Sequence, residues 1–168
     1  MVRDEELLLA VLNSAPIDDG VRTEGLRGTA GRDLVAPFGG SGTREELATL
    51  RRVRDLLQAQ IRDGAEVHRE LGAVMSGATL KPDVTPEGIT WELQTPADER
   101  LAARVVMAWS DVTRELPGRL RACANTECNL FLIDHSRPGT ARWCSMATCG
   151  NRMKARSHAQ RQRAASSR

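Results

Sequence analysis

The chain has 168 residues, and its net charge of +2 conceals an uneven distribution of charge. Residues 1–134 carry 16 basic and 22 acidic side chains, whereas residues 135–168 carry 8 basic and no acidic ones. Hydrophobic residues make up 40% of the chain but aromatic ones only 3%, so its core must depend on Leu, Val and Ala. This length fits one domain, or one small domain with an appendage. An acidic body with a basic end is typical of proteins that contact nucleic acid.

The ends and the apolar runs of the sequence favour a cytoplasmic protein that does not enter a membrane. Residues 1–6 are mainly acidic, which is the wrong charge for a signal peptide. No apolar stretch approaches the ~18–20 residues that span a bilayer. Because thiols stay reduced in the cytoplasm, we expect paired cysteines there to bind metal rather than form disulfides.

The first third of the chain contains one short apolar segment and then an irregular one. Residues 7–13 are apolar up to Asn13, while residues 14–43 are rich in Gly, Asp, Thr and Pro. We expect this second segment to be a connection with at most one short helical turn. A connection of that length is uncommon in a compact domain, so it is a candidate for lining a site.

Two helices are predicted over residues 44–76. Thr43 can cap the first, with Glu46 as its capping-box partner, and an apolar stripe runs from Leu47 to Ile61. A second helix follows Asp63-Gly64 and ends near Gly77. Its expected buried face consists of Val67, Leu71 and Val74.

Residues 78–93 have the pattern of a β-hairpin, and residues 96–116 that of a helix. Ile89, Trp91 and Leu93 alternate with polar residues, as in a half-buried strand. Thr95 is expected to cap the helix, with Pro96 at its first position. We expect the helices 44–62 and 96–116 to pack on each other and on the hairpin, and Trp91 and Trp109 to lie in the core.

The most informative feature is a set of two cysteine pairs near the end of the chain. Four residues separate the members of each pair and fifteen lie between the pairs. Two such pairs can supply the four ligands of a tetrahedral Zn²⁺. The predicted ligands are Cys123, Cys128, Cys144 and Cys149. The alternative is two disulfides or four unrelated thiols. Four thiolates would close the coordination sphere, which argues against a catalytic zinc and, with no phosphate loop or nucleophile elbow in the chain, against an enzyme.

The sequence between the pairs predicts a hairpin followed by a helix. Residues 130–133 form the expected first strand, 136–139 a turn and 141–143 a return strand. Ser145 can cap a helix that runs to about Gln162, with Cys149 in its first turns. Leu130, Phe131 and Trp143 are expected to form a small core of the finger. His135 and His158 are spare potential ligands.

These residues resemble the CGNR zinc-finger family. The resemblance is carried by Cys149-Gly150-Asn151-Arg152, by the Trp-Cys-Ser-Met string that begins at Trp143, and by the Arg-x-Cys-Ala-Asn string that begins at Arg121. The spaced residues Phe131, Asp134 and Ser136-Arg137 also fit. The resemblance implies one structural Zn²⁺ on the four cysteines and covers about residues 119–163.

In that family the finger usually follows a domain called ABATE, described as a stress-induced transcription regulator. Residues 9–13, Leu-Ala-Val-Leu-Asn, resemble the opening of that domain, and Leu50-Arg51 resembles a later part. Ala10 and Ser14 depart from its pattern. Asn13 is expected to satisfy a buried turn, and ligand binding by this residue is the alternative.

The basic end predicts contacts with nucleic acid. Arg152, Arg156 and Arg163 share a helix face by their spacing, with Lys154 and Arg161 expected on a neighbouring face. Arg137 and Arg142, on the predicted hairpin, are candidates for backbone contacts. The alternative is a solvated tail. Because one small module reads few bases, sequence-specific binding would need a homodimer.

We therefore predict an α+β protein with a mostly helical N-terminal domain over residues 1–118, which includes a β-hairpin, and a treble-clef-like four-cysteine finger over residues 119–168. The favoured function is DNA-binding transcriptional regulation, with the N-terminal domain sensing a ligand or dimerising. The alternatives are an RNA-binding or ribosome-associated protein and a protein-interaction module. The scarcity of aromatic residues disfavours binding of single strands.

Overall fold

The computed structural model describes residues 2–18 and 20–166. Its helices are α1 (Val2–Leu12), α2 (Gly28–Val35), α3 (Arg44–Asp63), α4 (His68–Met75), α5 (Arg100–Glu115) and α6 (Asn151–Ser166). Its strands form three antiparallel pairs: β1 (Ile17–Asp18) with β2 (Val21–Arg22), β3 (Thr79–Thr85) with β4 (Gly88–Gln94), and β5 (Leu120–Ala122) with β6 (Phe131–Ile133). The α+β class is confirmed. Within the described ranges, no helix is both long enough and apolar enough to span a bilayer.

Helices α1, α3 and α5 pack on one another around an aliphatic core. The predicted stripe of α3 is buried from Leu47 to Leu57 and half-buried at Ile61. Leu71 and Val74 of α4, and Val67 just before it, are buried as expected. The α3 cap is confirmed in part, because the Thr43 hydroxyl accepts the Glu46 amide at 3.1 Å. The Glu46 carboxylate accepts the amide of Gly42 instead of completing a capping box with Thr43.

The segment expected to be irregular contains a regular helix. Helix α2 lies within it, followed by a 3₁₀ turn over Ala36–Phe38. Its composition, GTAGRDLV, disguises the helix because glycine lowers helix propensity. A Cβ at Gly31 would lie 2.7 Å from a methyl carbon of Leu47, so this glycine permits α2 to approach α3 closely. Packing therefore stabilises a helix that local propensity disfavours.

The start of α5 differs from the prediction. A 3₁₀ turn over Ala97–Glu99 precedes the helix, and Pro96 lies before this turn as its cap. The Thr95 hydroxyl is buried and has no hydrogen-bond partner in the described part of the chain, so it does not cap the helix. Leu101, Val105 and Val112 lie at helical spacing along α5 and are buried.

The β3–β4 hairpin forms in the predicted place, but its apolar face is not buried. The register places Leu80 opposite Leu93, Pro82 opposite Trp91 and Val84 opposite Ile89, so all six lie on one face. Trp91 is 62% exposed and Val84 79% exposed. The expectation that Trp91 is a core residue was therefore wrong. Trp109 is half-buried against the helical core, as predicted.

The core of the helical part continues into the finger. Strand β6 packs on α1, and β5 packs on α3. Phe131 is 2% exposed and belongs to the same buried cluster as Leu7 and Leu57. The expected separate core of the finger around Phe131 is therefore a shared one. The apolar side chains on the two sides of the predicted boundary at residues 118/119 therefore pack in one core.

Candidate metal centre and basic helix

Four thiols converge at the end of the chain. Their sulfur atoms all lie within 4.8 Å of one another. The Sγ atom of Cys144 is 3.7 Å from that of Cys128 and 3.7 Å from that of Cys149. Zn–S bonds of about 2.3 Å in a tetrahedron place sulfurs about 3.8 Å apart, so these separations fit one zinc ion. Cys123 and Cys149 are buried, and the other two are half-buried.

Local backbone geometry explains why the sulfurs meet. Cys123 follows β5 and Cys128 precedes β6, so the first pair lies at the tip of a short hairpin. Cys144 lies just before a π-helical turn over Met146–Gly150, and Cys149 lies within this turn. The turn leads directly into α6. The Ser145 hydroxyl caps this turn by accepting the Thr148 amide at 3.4 Å. This order of hairpin and helix matches the predicted treble-clef-like arrangement.

One prediction about this hairpin was wrong. Residues 130–133 supply a strand, but β6 pairs with β5, which precedes the first cysteine, and not with residues 141–143. Residues 141–143 do not form a strand. Their one backbone hydrogen bond to the first cysteine loop joins the Ala124 amide to the Arg142 carbonyl at 2.8 Å. The expected turn at residues 136–139 is present, and in it the Gly139 amide donates a hydrogen bond to the Ser136 carbonyl.

Polar hydrogens surround the sulfurs as they would surround thiolates. The amides of Leu130 and Cys144 donate to the sulfurs of Cys128 and Cys123, each at 3.5 Å. The Asn125 side chain is fully buried and donates to the Cys149 sulfur at 3.5 Å. Donors of this kind stabilise the anionic form of a thiol. The role of Asn125 was not predicted, although it lies two residues after Cys123 in the family-like string.

Without metal, the thiols of Cys128, Cys144 and Cys149 differ in acidity. Burial raises the pKa of the Cys144 thiol, and its neighbouring cysteines raise it further. Burial likewise raises the pKa of Cys128. At Cys149 burial acts in the same direction, but hydrogen bonds from Asn125 and the neighbouring thiols outweigh it and lower the pKa. A divalent cation at the centre would favour all four thiolates, because coordination deprotonates a thiol.

Asp134 organises the loop that carries the second cysteine pair, and the sequence assigned it no role. Its carboxylate is 1% exposed and accepts hydrogen bonds from the Ser136 amide at 2.9 Å and the Ala141 amide at 2.9 Å. Arg121 donates to it at 3.2 Å. The hydrogen bond from the Ser136 hydroxyl lowers the pKa of Asp134, and it outweighs the opposing effect of burial. Asp134 thereby ties β5 to the loop that leads to Cys144.

The finger is fastened to the helical part by side-chain amides. Asn13 accepts the Phe131 amide at 2.7 Å and donates to the Phe131 carbonyl at 3.2 Å, so its side chain pairs with β6 as a strand would. Asn129 accepts the Ile17 amide and donates to the Ala15 carbonyl. Arg62 lies over the Phe131 ring at 4.5 Å. These contacts give Asn13, the candidate ligand residue, a structural role.

The basic side chains proposed for nucleic acid lie at the surface. Arg137 is exposed on the turn, and Arg142 is exposed with its guanidinium 5.4 Å from the centroid of the Trp143 ring. Arg152 is exposed at the start of α6, and every side chain from Lys154 to Arg163 is exposed. Arg156 is paired with Glu127 at 2.5 Å.

The arrangement of charges around α6 differs from the prediction. At 3.6 residues per turn, Arg152, Arg156 and Arg163 lie within an arc of about 40°. Lys154 and Arg161 lie about 180° away from that arc, on the opposite face and not on a neighbouring one. His158 and Gln162 lie on the polar strip between the two faces, on the side away from the half-buried Met153.

Comparison with known proteins supports the identity of the finger. Residues 119–162 match the family model of the CGNR zinc finger. No curated protein matches the sequence. Together with the sulfur geometry, the match identifies the four cysteines as the site of one structural zinc ion, which agrees with the prediction from cysteine spacing. The zinc ligands all come from the chain, so the ion would link the β5–β6 hairpin to the start of α6.

Proposed function

We propose that this protein binds double-stranded DNA through α6 and acts as a transcriptional regulator. The observation that carries the proposal is a 16-residue helix that begins at the metal centre and has exposed basic residues on two opposite faces. No acidic residue follows Asp134 in the sequence. A zinc ion that fixes the first turn of such a helix would present it in one orientation.

Charges on opposite faces favour a helix lying within a groove. A helix that lies along one phosphate backbone contacts it with one face only. A helix in the major groove, which is about 12 Å wide, has a phosphate wall on each side. Arg152 and Arg163 would face one wall, and Lys154 and Arg161 the other. His158 and Gln162 would then face the base edges, where side chains with hydrogen-bonding groups read sequence.

The ion pair of Arg156 with Glu127 affects how this interface binds. Glu127 is an exposed carboxylate in the finger, and its hydrogen bond from Arg156 lowers its pKa. A phosphate that approached Arg156 would compete with this carboxylate. Glu127 therefore opposes binding by its charge, which also acts on Arg152. Lys154, Arg161 and Arg163 on α6 form no salt bridge within the described residues.

Two matched double variants test the groove geometry. Arg152→Ala with Arg163→Ala removes two charges from one face, and Lys154→Ala with Arg161→Ala removes two from the other. Each should reduce the slope of log affinity against log salt by about two units on a duplex. Arg52→Ala with Arg69→Ala removes two exposed charges from α3 and α4 and should leave the slope unchanged.

The measurement is fluorescence anisotropy of a labelled duplex at several salt concentrations. Loss of slope in only one α6 variant would replace the groove geometry with contact along one strand. No change in either α6 variant would refute nucleic-acid binding by this helix. Competition with single-stranded and double-stranded RNA distinguishes the RNA-binding alternative, which predicts that RNA displaces the DNA at lower concentration.

A homodimer would supply the second half-site, and the β3–β4 hairpin offers a surface for it. Leu80, Val84, Ile89 and Trp91 are between 48% and 79% exposed. They leave roughly 500 Å² of mostly apolar surface open, which is about the size of the largest apolar patch on a typical monomer, a patch that is often functional. Two copies facing each other would bury about 1,000 Å², which lies near the lower limit of a stable interface. The proposed dimer also fits the N-terminal resemblance to a regulatory domain.

Light scattering across a range of protein concentrations tests this dimer. Ile89→Thr with Trp91→Ser should lower the average mass to that of a monomer. Thr90→Ala with Glu92→Ala alters the opposite, polar face of the same strand and should leave the dimer intact. An unaltered chain that stays monomeric at about 100 µM would contradict a hairpin-mediated dimer and would leave a different partner protein for this face.

A further inference from the structure

An arginine-lined cavity lies in the helical part of the protein, on the segment that the sequence singled out as a candidate for lining a site. It has a volume of about 500 Å³. Its wall includes Arg27, Arg32, Arg44 and Arg51, together with Gly28 and Gly42. No acidic residue belongs to this lining.

The fold explains why four arginines meet there. Arg27 precedes α2 as its cap residue, and Arg32 lies in the last turn of the same helix. Arg44 is the first residue of α3, and Arg51 lies seven residues later, two turns along the same face. Arg51 also donates to the Leu26 carbonyl at 2.6 Å, which holds its side chain against the start of α2.

The charges of these four residues are only partly balanced within the protein, since Arg51 acts on the Glu24 carboxylate by its charge but forms no salt bridge with it. Across the described ranges, none of the four has a carboxylate within 4.0 Å, whereas Arg54, on the same helix, is paired with Glu24. The carboxylate behind the wall belongs to Glu46. It accepts the Gly42 amide at 2.7 Å and the Ser41 hydroxyl at 3.2 Å, and it forms no salt bridge with any of the four arginines.

Two glycines shape the wall of the cavity. Gly42 has a φ of +66°, and a Cβ there would lie 2.4 Å from the Cγ atom of Arg32, so only glycine lets this loop pass so close to α2. Gly28 has a φ of +53°, a left-handed conformation that favours glycine at the start of α2. Helices α2 and α3 both begin at this wall, so their positive ends add to the field of the guanidinium groups.

We propose that this cavity binds a small molecule that carries two or more phosphate groups. Guanidinium groups bind phosphate oxygens with paired hydrogen bonds, and four of them need a ligand with several negative charges. A volume of about 500 Å³ lies within the range of small-molecule sites. The proposal rests on the proposed function in one respect: it gives a chemical class to the signal that the N-terminal part would sense.

Isothermal titration of the full-length, zinc-loaded protein with pyrophosphate and with adenosine diphosphate tests this site directly. Arg32→Gln with Arg44→Gln should weaken pyrophosphate binding about 100-fold, because each lost charge-assisted bond corresponds to about a tenfold change. Arg52→Gln with Arg69→Gln removes the same charge from exposed positions outside the lining and should change binding less than about twofold. Circular dichroism verifies that both variants are folded.

Three results would overturn the proposal. The first is no heat of binding for either phosphate compound at millimolar concentration. The second is sulfate binding as tight as pyrophosphate binding, which would indicate a general anion site. The third is equal weakening in both double variants. If the Arg32 and Arg44 changes weaken duplex binding while pyrophosphate does not bind, the arginines extend the DNA interface instead. Because the titration contains no DNA, failure of DNA binding and failure of this site are distinguishable.

Discussion

Replacing Glu24 with Gln tests how the segment between α1 and α2 is held. Arg54 is 3% exposed, and its guanidinium forms two bonds to the Glu24 carboxylate, at 2.7 Å and 2.8 Å. It also donates to the Ser14 hydroxyl at 3.0 Å. The segment tied down by these bonds contacts the finger through Ala15 and Ile17. It also leads into the arginine-lined cavity.

The size of the effect follows from this geometry. Breaking a fully buried ion pair costs about 3–5 kcal/mol when one charge is left without a partner. Arg54 also donates to the more exposed carboxylate of Asp55 at 3.0 Å, and it keeps that partner in the variant. Because Glu24 is itself 27% exposed and Gln keeps one acceptor, the expected loss is about 1–2 kcal/mol. In a chain of this length that corresponds to a fall in Tm of about 2–8 °C.

Thermal and urea unfolding with excess zinc measure this loss. Asp111→Asn removes an acid from an exposed pair with Arg114 and should cost no more than about 0.5 kcal/mol. Arg54→Met combined with Glu24→Gln should recover part of the loss, because no buried charge remains. A Glu24→Gln chain within about 0.5 kcal/mol of the unaltered one would refute the assignment of Arg54 as a buried, carboxylate-dependent charge.

The same pair predicts a pH dependence. Burial acts to raise the pKa of Glu24, but the hydrogen bonds from Arg54 and the Leu26 amide outweigh it and hold the pKa below its ordinary value of 4.5. The contribution of Glu24 is therefore complete above pH 4.5 and is lost as the pH falls through its lower, folded-state pKa. The difference in unfolding free energy between the unaltered and Glu24→Gln chains should shrink over that interval. A difference that grew towards acid would contradict this sign.

Three further predictions concern the finger. Chelation of zinc should remove the near-ultraviolet signal of Trp143 and reduce helicity, because metal binding and folding are coupled, and a finger that kept both would contradict a structural zinc. Phe131→Ala should destabilise the whole chain by about 3–5 kcal/mol in urea, since the ring belongs to the shared core; an effect confined to the finger would indicate two independent cores. Glu127→Gln should tighten duplex binding two- to five-fold, roughly, by removing a charge that competes for Arg156, and weaker binding in anisotropy would show that Glu127 helps to place that arginine.

Much of the metal centre could be predicted because its signal is local. Four cysteines at fixed spacing define a zinc site without knowledge of the surrounding fold, and the sulfur geometry agrees. The supporting roles of Asn125 and Asp134 were not predicted, because the spacing of an Asn or Asp does not indicate that its side chain is buried and hydrogen-bonded. Their presence in the strings that resemble the family was the available signal.

The helices and strands show where sequence patterns stop being informative. Capping by Thr43 and the stripe of α3 are local, and both were predicted, although Glu46 does not complete the expected capping box. Helix α2 was missed because its stability comes from close packing at Gly31, which is a tertiary effect. The alternation at Ile89 and Trp91 revealed that these residues share a face, but alternation does not reveal whether another element covers that face. The pairing of β6 with β5 was missed for a related reason, since strand partners depend on the whole fold.

The central claim, that the zinc-ordered α6 directs this protein to DNA, is tested most directly by capture of sheared genomic DNA. The zinc-loaded protein would be incubated with the fragments at near-physiological salt, and the retained DNA sequenced, with the Arg152→Ala/Arg163→Ala chain as the control. The account predicts a few enriched sites that share a motif, two half-sites at a fixed spacing, and loss of enrichment in the control. Uniform retention, no retention, or the same enrichment in the control would contradict it.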